Sequence, residues 1–341
     1  MQLNSVSVMD IVAYTGSAIG VVISIIQVRN GTITLPEAFL IIMLAADFFL
    51  PLRLLGSFFH VAMNGMAASD KLFKLLDIPE EEPATEIPDS FDSDIVIKNL
   101  SFSYDGEKKV LDNVSATVKR HELVSVVGES GCGKSTLSAL ICGISRGYTG
   151  SIEIDGVQIK DIAEKALMDN ITAVNFNSYI FEGTVRENLL LADENASDEK
   201  MINTLKTVKL WDFLASQNGL DTVLLTQGNN FSGGQKQRLA LARALMHDTP
   251  VYIFDEVTSN IDADSENDIM AVIHSMAKTR TVLLISHRLE NVVKSDKIIV
   301  LDSGRAVETG THEQLIAANG KYALMYRTQA ELEKYSRQEA M

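Results

Sequence analysis

Residues 123–141 read LVSVVGESGCGKSTLSALI, and this stretch decides the fold. The apolar run from Leu123 to Val127 predicts a buried strand, and the residues from Leu137 onward predict a helix. The glycine-rich segment between them has the spacing G-x-x-x-x-G-K-[S/T]. In that context, backbone N–H groups and a helix N-terminus surround a phosphate. We therefore predict a phosphate-binding loop and an α/β fold of the P-loop NTPase class.

The loop supplies most of the candidate nucleotide ligands. We expect the Lys134 ammonium to reach the β- and γ-phosphates and the Ser135 hydroxyl to ligate Mg²⁺. The remaining positions place backbone N–H groups around the phosphates. The predicted loop residues are Gly128, Glu129, Ser130, Gly131, Cys132, Gly133, Lys134, Ser135 and Thr136. ATP and Mg²⁺ are the predicted cofactors.

Residues 251–256, VYIFDE, form a second apolar strand that ends in two acids. Asp255 is predicted to hold Mg²⁺, and Glu256 to polarise the attacking water as a general base. Such a run is weak evidence alone because many strands end in an acid. Together with the phosphate-binding loop it predicts an ATP-hydrolysing site.

A third segment, residues 231–235, reads FSGGQ and precedes a helical stretch. Serine and glycine at a helix start again offer backbone N–H groups to an anion. Two phosphate-binding surfaces in one domain predict a dimer, in which ATP lies between the loop of one subunit and this segment of the other. The second set of predicted ligands is Ser232, Gly233, Gly234 and Gln235.

Composition narrows the function classes. The chain has 341 residues, about two domains in length, and a net charge of −15. This charge argues against nucleic acid as a partner, because phosphate neutralisation requires a basic face. Two cysteines are too few for a disulfide framework and fit a reduced compartment. No secretory signal is apparent at the N-terminus.

The N-terminal region is poor in charge. Between Met1 and Ser69 the charged residues are Asp10, Arg29, Glu37, Asp47 and Arg53. Two apolar runs, residues 11–28 and 36–59, predict two transmembrane helices, since roughly 17–25 residues span a bilayer. Burial of both helices in a soluble protein is the competing interpretation. Asp47 and Arg53 either face a substrate path or helix contact, or Arg53 reaches the cytosolic interface.

The rest of the chain divides into three predicted segments. A connecting helix through residue 77 completes a partial membrane domain over residues 1–77. An exposed linker over 78–94 is indicated by three prolines and the acidic run Glu80–Glu82. Residues 95–330 form the predicted α/β catalytic domain, and 331–341 form a C-terminal tail. Lys71 and Lys74 place the end of the second span in the cytosol.

With these motifs in place, the chain resembles an ATP-binding-cassette (ABC) transporter of the exporter type. The resemblance implies an ABC nucleotide-binding domain with an antiparallel β subdomain and a helical subdomain. It also implies that Tyr104 stacks on adenine, that the loop Ser259–Asp262 couples the two sites with Asp262 contacting nucleotide, and that His287 contacts the γ-phosphate. Phe231 replaces the family's usual leucine before the serine of the signature motif.

Two features depart from or refine that pattern. The family's Q-loop glutamine is expected at Phe176, where phenylalanine cannot ligate Mg²⁺. Asn175 or Asn177 is a candidate substitute. We therefore expect a site that is active but slowed or poorly coupled.

The membrane part is similar to the fifth and sixth helices of an exporter half. Residues 47–56 resemble those of the cysteine and glutathione exporters of cytochrome bd assembly. The first four helices have no counterpart, which predicts a fragment or help from other chains.

Three functions remain open on the sequence. The leading one is half of a homo- or heterodimeric exporter in the cell membrane, multi-pass, with its nucleotide-binding domain in the cytoplasm. Its expected partners are a second exporter half, the lipid membrane and a transported substrate that the sequence does not specify. The alternatives are a soluble ATPase module and a non-catalytic or truncated ATP-binding remnant that depends on a partner subunit.

Overall fold

The computed structural model describes residues 2–78, 83–259 and 261–339. It separates into two compact units, Met1–Glu82 and Pro83–Met341. The acidic run Glu80–Glu82 and Asn260, which the sequence analysis singled out, lie outside the described residues.

The first unit consists of two helices, α1 over Gln2–Arg29 and α2 over Leu35–Leu76. A capping box starts α2, since the Glu37 carboxylate accepts hydrogen bonds from the Thr34 N–H and hydroxyl at 2.7 and 2.8 Å. The predicted second span and connecting helix are thus one continuous helix of 42 residues, which includes Pro51. At 1.5 Å per residue it is about 63 Å long, more than the roughly 30 Å of a bilayer core.

Small residues let α1 and α2 approach closely. A Cβ added to Gly16 would lie 2.4 Å from the Phe49 ring, and one added to Gly20 would lie 3.1 Å from the Ala45 Cβ. The Ser24 side chain is buried and donates to the Gly20 carbonyl at 2.8 Å. Glycine, alanine and serine at a helix contact are typical of membrane helix pairs, where close packing replaces the hydrophobic drive.

Many outward-facing side chains of both helices are apolar, and one segment has the length and composition of a membrane span. Within the described residues that segment is Asp10–Arg29. The predicted second span, residues 36–59, does not meet the same test there, and it contains Glu37, Asp47 and Arg53. The exposed apolar side chains of the helix pair include Ile11, Val22, Ile26, Phe39, Leu44 and Phe58.

The second unit is a mixed α/β domain. Its strands are β1 Ile95–Phe102, β2 Leu111–Val118, β3 Leu123–Val127, β4 Thr149–Ile154, β5 Val157–Gln158, β6 Ile171–Asn175, β7 Gly183–Thr184, β8 Val223–Leu224, β9 Val251–Asp255, β10 Thr281–Ile285, β11 Lys297–Asp302 and β12 Arg305–Gly310. Its helices are α3 Lys134–Ile141, α4 Glu164–Asn170, α5 Val185–Leu190, α6 Asp198–Thr207, α7 Trp211–Ala215, α8 Gly233–His247, α9 Ala263–Met276, α10 His312–Ala318 and α11 Lys321–Glu339.

A six-stranded sheet in the order β12-β11-β3-β10-β9-β6 forms the centre of this domain. All its pairings are parallel except that of β12. Ile285 pairs with both Val126 and Asp255, and Asp255 pairs with Asn175. The carboxyl ends of four strands therefore reach the same level, and the segments that follow them meet at one edge.

Both faces of the central sheet are buried, which explains the continuous apolar strands. In β9, Val251 and Ile253 belong to one core cluster, while Tyr252 and Phe254 belong to the other. The first cluster contains the four-stranded antiparallel sheet β2-β1-β4-β5 and helix α3. The second contains α8, α9 and the helices between β7 and β8. The predicted ABC-type α/β fold, with its antiparallel and helical subdomains, is confirmed.

Residues 83–94 differ from the exposed linker that we expected. The Glu86 N–H donates to the Asp161 carbonyl at 3.0 Å, and the Ser90 N–H donates to the Asp155 carboxylate at 3.1 Å. Pro88 is buried, and Phe91 is 6% exposed and belongs to the core cluster that contains the antiparallel sheet. Proline and acid content predicted solvent exposure, whereas the contacts with residues 155–163 bury part of the segment.

Replacing Phe91 with alanine tests this packing. Phe91→Ala removes a buried ring and is expected to lower the free energy of unfolding of the second unit by about 3–5 kcal/mol. Urea unfolding of the full chain in detergent measures the change. Ile87→Ala is the matched control, because Ile87 is 68% exposed and should be nearly neutral. Equal effects of the two substitutions would contradict the packing of residues 83–94 as part of this unit.

Candidate nucleotide site

The phosphate-binding loop follows β3 and ends at the N-terminus of α3. Gly133 caps the helix with a left-handed φ of 107°, and a Cβ there would lie 2.7 Å from Leu111 Cδ2. A Cβ on Gly128 would lie 2.2 Å from the Leu301 carbonyl oxygen. Only glycine fits these two positions, so the sequence spacing is required by the backbone path.

Lys134 is buried and lies inside the curve of this loop. Its Nζ donates to the carbonyl oxygens of Gly128 and Glu129, both at 2.9 Å. These bonds hold the ammonium at the start of the helix, beside the backbone N–H groups of residues 130–136. A positive charge and a helix N-terminus at one place favour a polyphosphate.

The next strand end brings Asp255 to the same edge. Burial raises the pKa of its carboxyl, and a hydrogen bond from the Ser135 hydroxyl and the nearby Lys134 ammonium only partly offset this effect. One carboxylate oxygen, Oδ1, is buried without a hydrogen-bond partner. A hydroxyl and an orphaned carboxylate oxygen are oxygen ligands of the kind that Mg²⁺ prefers, so these two residues fit the ion.

Glu256 and His287 face each other across this edge. Glu256 has a positive φ of 55°, unusual for a side chain of its size, and its N–H donates to the Ile285 carbonyl at 3.0 Å. This turn directs the carboxylate to His287, whose Nε2 forms an ion-pair contact with Oε1. A cavity of about 240 Å³ connects the pair with the loop; its lining is Val110, Ser130, Gly131, Gly133, Lys134, Ser135, Thr136, Glu256 and His287.

Tyr104 lies just after β1 and is 66% exposed. Its ring packs edge-on against Phe102, with centroids 4.8 Å apart, and its hydroxyl lies 3.2 Å from the Thr136 Oγ1. An exposed aromatic face is therefore fixed beside the phosphate-binding loop. Such a face can stack on a nucleobase.

The segment Ser232–Gln235 begins α8 with a capping box. The Ser232 Oγ accepts from the Gln235 N–H at 3.3 Å, and the Gln235 side chain accepts from the Ser232 N–H at 2.8 Å. The cap does not use the N–H groups of Gly233 and Gly234, which stand at the first helical positions. Phe231 is buried edge-on against Phe213 and anchors the segment in the helical subdomain.

Asp262 caps α9 and is exposed, accepting from the Ser265 N–H at 2.8 Å. A Cβ on Gly234 would lie 2.4 Å from the Ser265 Oγ, so the two helix starts are in contact. Gly233 lines a second cavity of about 570 Å³, with Phe176, Gln237, Ser259 and others. The chain thus brings the signature segment and Asp262 together, but neither lines the phosphate-loop cavity.

Phe176 follows β6 at the site edge. Its N–H donates to the Asp255 carbonyl at 3.0 Å, and its own carbonyl accepts from the Gln237 side-chain amide. The backbone at this position is therefore held next to Asp255, the predicted Mg²⁺ ligand. The half-buried phenyl ring offers no ligand there, and Asn177 is exposed.

Comparison with known proteins adds to this geometry. The family model "ABC transporter" matches residues 111–259, from β2 past the second carboxylate. A Haemophilus influenzae protein described as "Uncharacterized ABC transporter ATP-binding protein" is 45% identical over 98% of this chain and 60% of its own length.

The chain carries the ATP-binding domain of an ABC transporter.

Two further comparisons concern exporters and flippases. An "ATP-dependent lipid A-core flippase" of Vibrio parahaemolyticus is 39% identical over 82% of this chain and 49% of its own length. A solved structure of a bacterial Atm1-family ABC exporter with ATP bound is 31% identical, with a TM-score of 0.72 over 88% of this chain and 53% of that one. This chain therefore spans about half of the length of the relatives that it matches. None of the three carries the cytochrome bd assembly name, and that subfamily resemblance stays a prediction.

The ABC domain also contains contacts that the sequence did not indicate. Gln237, on the signature helix, holds the Phe176 carbonyl. Lys321 and Gln329, both on the last helix, reach the segments that bear Glu129 and His287. No local spacing relates these partners, and the bonds of Gln237 and Gln329 join residues 40 or more positions apart.

Replacing Asp255 with asparagine tests two effects of the carboxylate separately: its effect on fold stability and its contribution to Mg²⁺ binding. The pKa of Asp255 is raised in the folded state, so the unfolded chain loses its proton first and stability falls as the pH rises through the folded pKa. At neutral pH the amide is therefore expected to raise the unfolding temperature of the nucleotide-free chain, and to abolish the extra stabilisation that Mg²⁺ adds to ATP. Thermal unfolding with ATP, with and without Mg²⁺, measures both effects.

Asp302→Asn is the control of opposite sign. A hydrogen bond from Lys321 lowers the pKa of Asp302, so its ionised form stabilises the fold and the amide should not raise the unfolding temperature at neutral pH. An Asp255→Asn chain that is no more stable than the unmodified one, or that still responds to Mg²⁺, would contradict this view of the carboxylate.

Proposed function

We propose that this chain is the ATP-hydrolysing subunit of an ABC exporter and works with a second exporter half. The main observation behind the proposal is that four segments meet at one edge of the sheet, because the parallel strands before them end at the same level. These segments contain Lys134, Phe176, Glu256 and His287. They combine a phosphate cradle, a magnesium-ligand pair and an acid–imidazole pair in one place.

The phosphate loop binds and orients the nucleotide. Lys134 and the N–H groups of the α3 N-terminus hold the β- and γ-phosphates, and Tyr104 stacks on the adenine. Ser135 and Asp255 would hold Mg²⁺, which supplies charge neutralisation of the phosphates when bound. The loop glycines and the buried lysine are fixed before ATP arrives, so little reorganisation accompanies binding.

Glu256 and His287 act on the reacting groups. Glu256 accepts a proton from the attacking water, and its fixed turn keeps the carboxylate at the edge where the γ-phosphate lies. His287 donates a hydrogen bond to the γ-phosphate. Both side chains line the cavity of the phosphate-binding loop and are in direct contact, which supports a role for both at the γ-phosphate.

The signature segment serves the other subunit. Ser232–Gln235 and Asp262 lie together but away from the phosphate-loop cavity of their own chain. The spare N–H groups of Gly233 and Gly234 would bind the γ-phosphate of ATP held by the partner. A complete site therefore needs two chains, either two copies or this chain and a related one.

The membrane assignment rests on the first unit and on the relatives. The span Asp10–Arg29, the small-residue contact with α2 and the exposed apolar faces fit a multi-pass membrane domain with the ATP-binding domain in the cytoplasm. The relatives are named as a lipid A-core flippase and an Atm1-family exporter. Of these two names, that of the flippase specifies a cargo and that of the exporter does not, so the likeness supports a shared ATP-driven motor and leaves the transported molecule unassigned.

Glu256→Gln and Ser232→Arg test both the chemistry and the shared site. In nanodiscs, the specific ATPase rate of the full chain is expected to rise with protein concentration, because two chains form each site. Glu256→Gln should lower it by about 10²–10⁴-fold, and Ser232→Arg should abolish it. A mixture of the two variants should regain hydrolysis, since one of the two sites in each mixed dimer has both groups intact.

The alternatives give different results. A mixture that stays inactive while the unmodified chain is active would contradict a site shared between copies. No hydrolysis at any concentration, together with tight ATP binding, would favour a non-catalytic subunit that depends on a partner. Phe176 at the Q-loop position supports this second hypothesis.

Phe176→Gln is expected to increase the hydrolysis rate several-fold. The new amide can reach Mg²⁺ or the attacking water, and the backbone bond from Gln237 does not depend on the side chain. Steady-state ATPase measurements compare it with Phe176→Leu, which changes shape without adding a polar group. An unchanged or lower rate in Phe176→Gln would count against a ligand role at this position.

A further inference from the structure

Helix α11 contacts the loops of the ATP site from outside. The Gln329 side chain spans the peptide turn after β10: its Oε1 accepts from the Leu289 N–H at 2.8 Å, and its Nε2 donates to the His287 carbonyl at 3.2 Å. One amide therefore holds both sides of the turn that carries His287.

The same helix reaches the phosphate-binding loop. Lys321, at the first position of α11, lies 2.7 Å from the Asp302 carboxylate and 3.2 Å from that of Glu129. The two Glu308 carboxylate oxygens accept from the N–H groups of Lys321 and Tyr322, which cap the helix. Tyr322 is fully buried and its hydroxyl lies 2.8 Å from His312 Nδ1, so the start of α11 is fixed in the domain.

Further contacts to the His287 turn come from its own side chains and from α9. The Ser286 Oγ bonds to the Arg288 N–H and carbonyl, both at 3.0 Å. The Arg288 guanidinium contacts Glu266, a buried carboxylate on α9 that also accepts from Asn291 at 2.7 Å. These contacts fix the residues on either side of His287, whereas Gln329 bonds to the carbonyl of His287 itself.

We propose that Gln329 is a positioning residue for His287 and that docking of α11 sets the imidazole for the γ-phosphate. The inference rests on the proposed function, because it assigns His287 to that phosphate. Gln329 acts through the backbone: its two hydrogen bonds fix the orientation of the peptide groups from which the imidazole projects. The side chain itself touches neither nucleotide nor the reacting atoms.

The size of the effect follows from what His287 does. The imidazole is 40% exposed and its ring is held mainly by its contact with Glu256. Freeing its backbone allows the ring to lie away from the γ-phosphate position, and misplacement by about 1 Å can cost up to 10²-fold in rate. We expect Gln329→Leu to lower kcat by about tenfold and to raise KM for ATP by a smaller, several-fold factor.

Three variants of the full chain in nanodiscs test the proposal. Gln329→Leu keeps approximate volume but removes both hydrogen bonds. Gln329→Glu keeps the acceptor for the Leu289 N–H, removes the donor for the His287 carbonyl, and should give an intermediate kcat. Thr328→Ala is the matched control on the same helix, because Thr328 is exposed and its hydroxyl donates to the Leu324 carbonyl of α11 itself, at 3.0 Å.

Two further readouts distinguish positioning from general damage. Amide exchange at Leu289 should become faster in Gln329→Leu and stay unchanged in Thr328→Ala. Affinity for ATP should fall several-fold in Gln329→Leu while affinity for ADP stays constant, because only ATP places a γ-phosphate beside His287. This binding comparison decides the proposal even if the unmodified chain hydrolyses no ATP, a result that would contradict the proposed function instead.

Unchanged kcat and unchanged ATP-over-ADP preference in Gln329→Leu would overturn the positioning role. So would an equal loss of ATP and ADP affinity with a lower unfolding temperature, since that pattern describes a helix needed only for stability. A kcat loss of the same size in Thr328→Ala would overturn it as well.

Discussion

The register of the parallel strands determines where everything else in the second unit lies. Ile285 is paired at the same level with Val126 and Asp255, and Asp255 with Asn175, so four segments leave the sheet at one edge. The register is fixed because both faces are buried, and a one-residue slip would exchange the side chains between the two core clusters. The candidate site residues are therefore brought together by the packing of strands whose other side chains lie in the core.

The same strand ends bring charged side chains into partly buried positions, where removing a charge from water costs free energy. Lys134 is 5% exposed, and burial raises the pKa of Asp255 while one of its oxygens has no partner. The apolar core on both faces of the sheet supplies the stability that such groups remove. A functional reason accounts for retaining them, since a charge fixed in place needs no reorganisation when a phosphate arrives.

The sequence predicted those parts of the site whose chemistry depends on local spacing. The phosphate loop and the strand ending in Asp255 and Glu256 are each contained in a few consecutive residues. Tyr104 and His287 stand alone in the sequence and needed the family resemblance. The roles of Gln237 and Gln329 could not be predicted, because the partner of Gln237 lies 61 residues away, those of Gln329 lie 40 and 42 residues away, and no periodicity links them. The burial of Phe91 within the predicted exposed linker was missed for a related reason. Proline and acid content describe a segment in isolation and not the surface that covers it.

The contacts around the signature helix give the two phosphate-binding surfaces different tasks under the proposed function. In the loop, Lys134 and the α3 N-terminus are brought together within one chain, so this half would bind ATP by itself. In the signature segment, the cap uses the Gln235 N–H and leaves those of Gly233 and Gly234 for an outside anion. The γ-phosphate is then the group that two chains would share, and its loss removes the contact between them. Fixing His287 from α11 would link cleavage of that group to a helix that does not line the phosphate-loop cavity, so a change in its docking would alter hydrolysis indirectly.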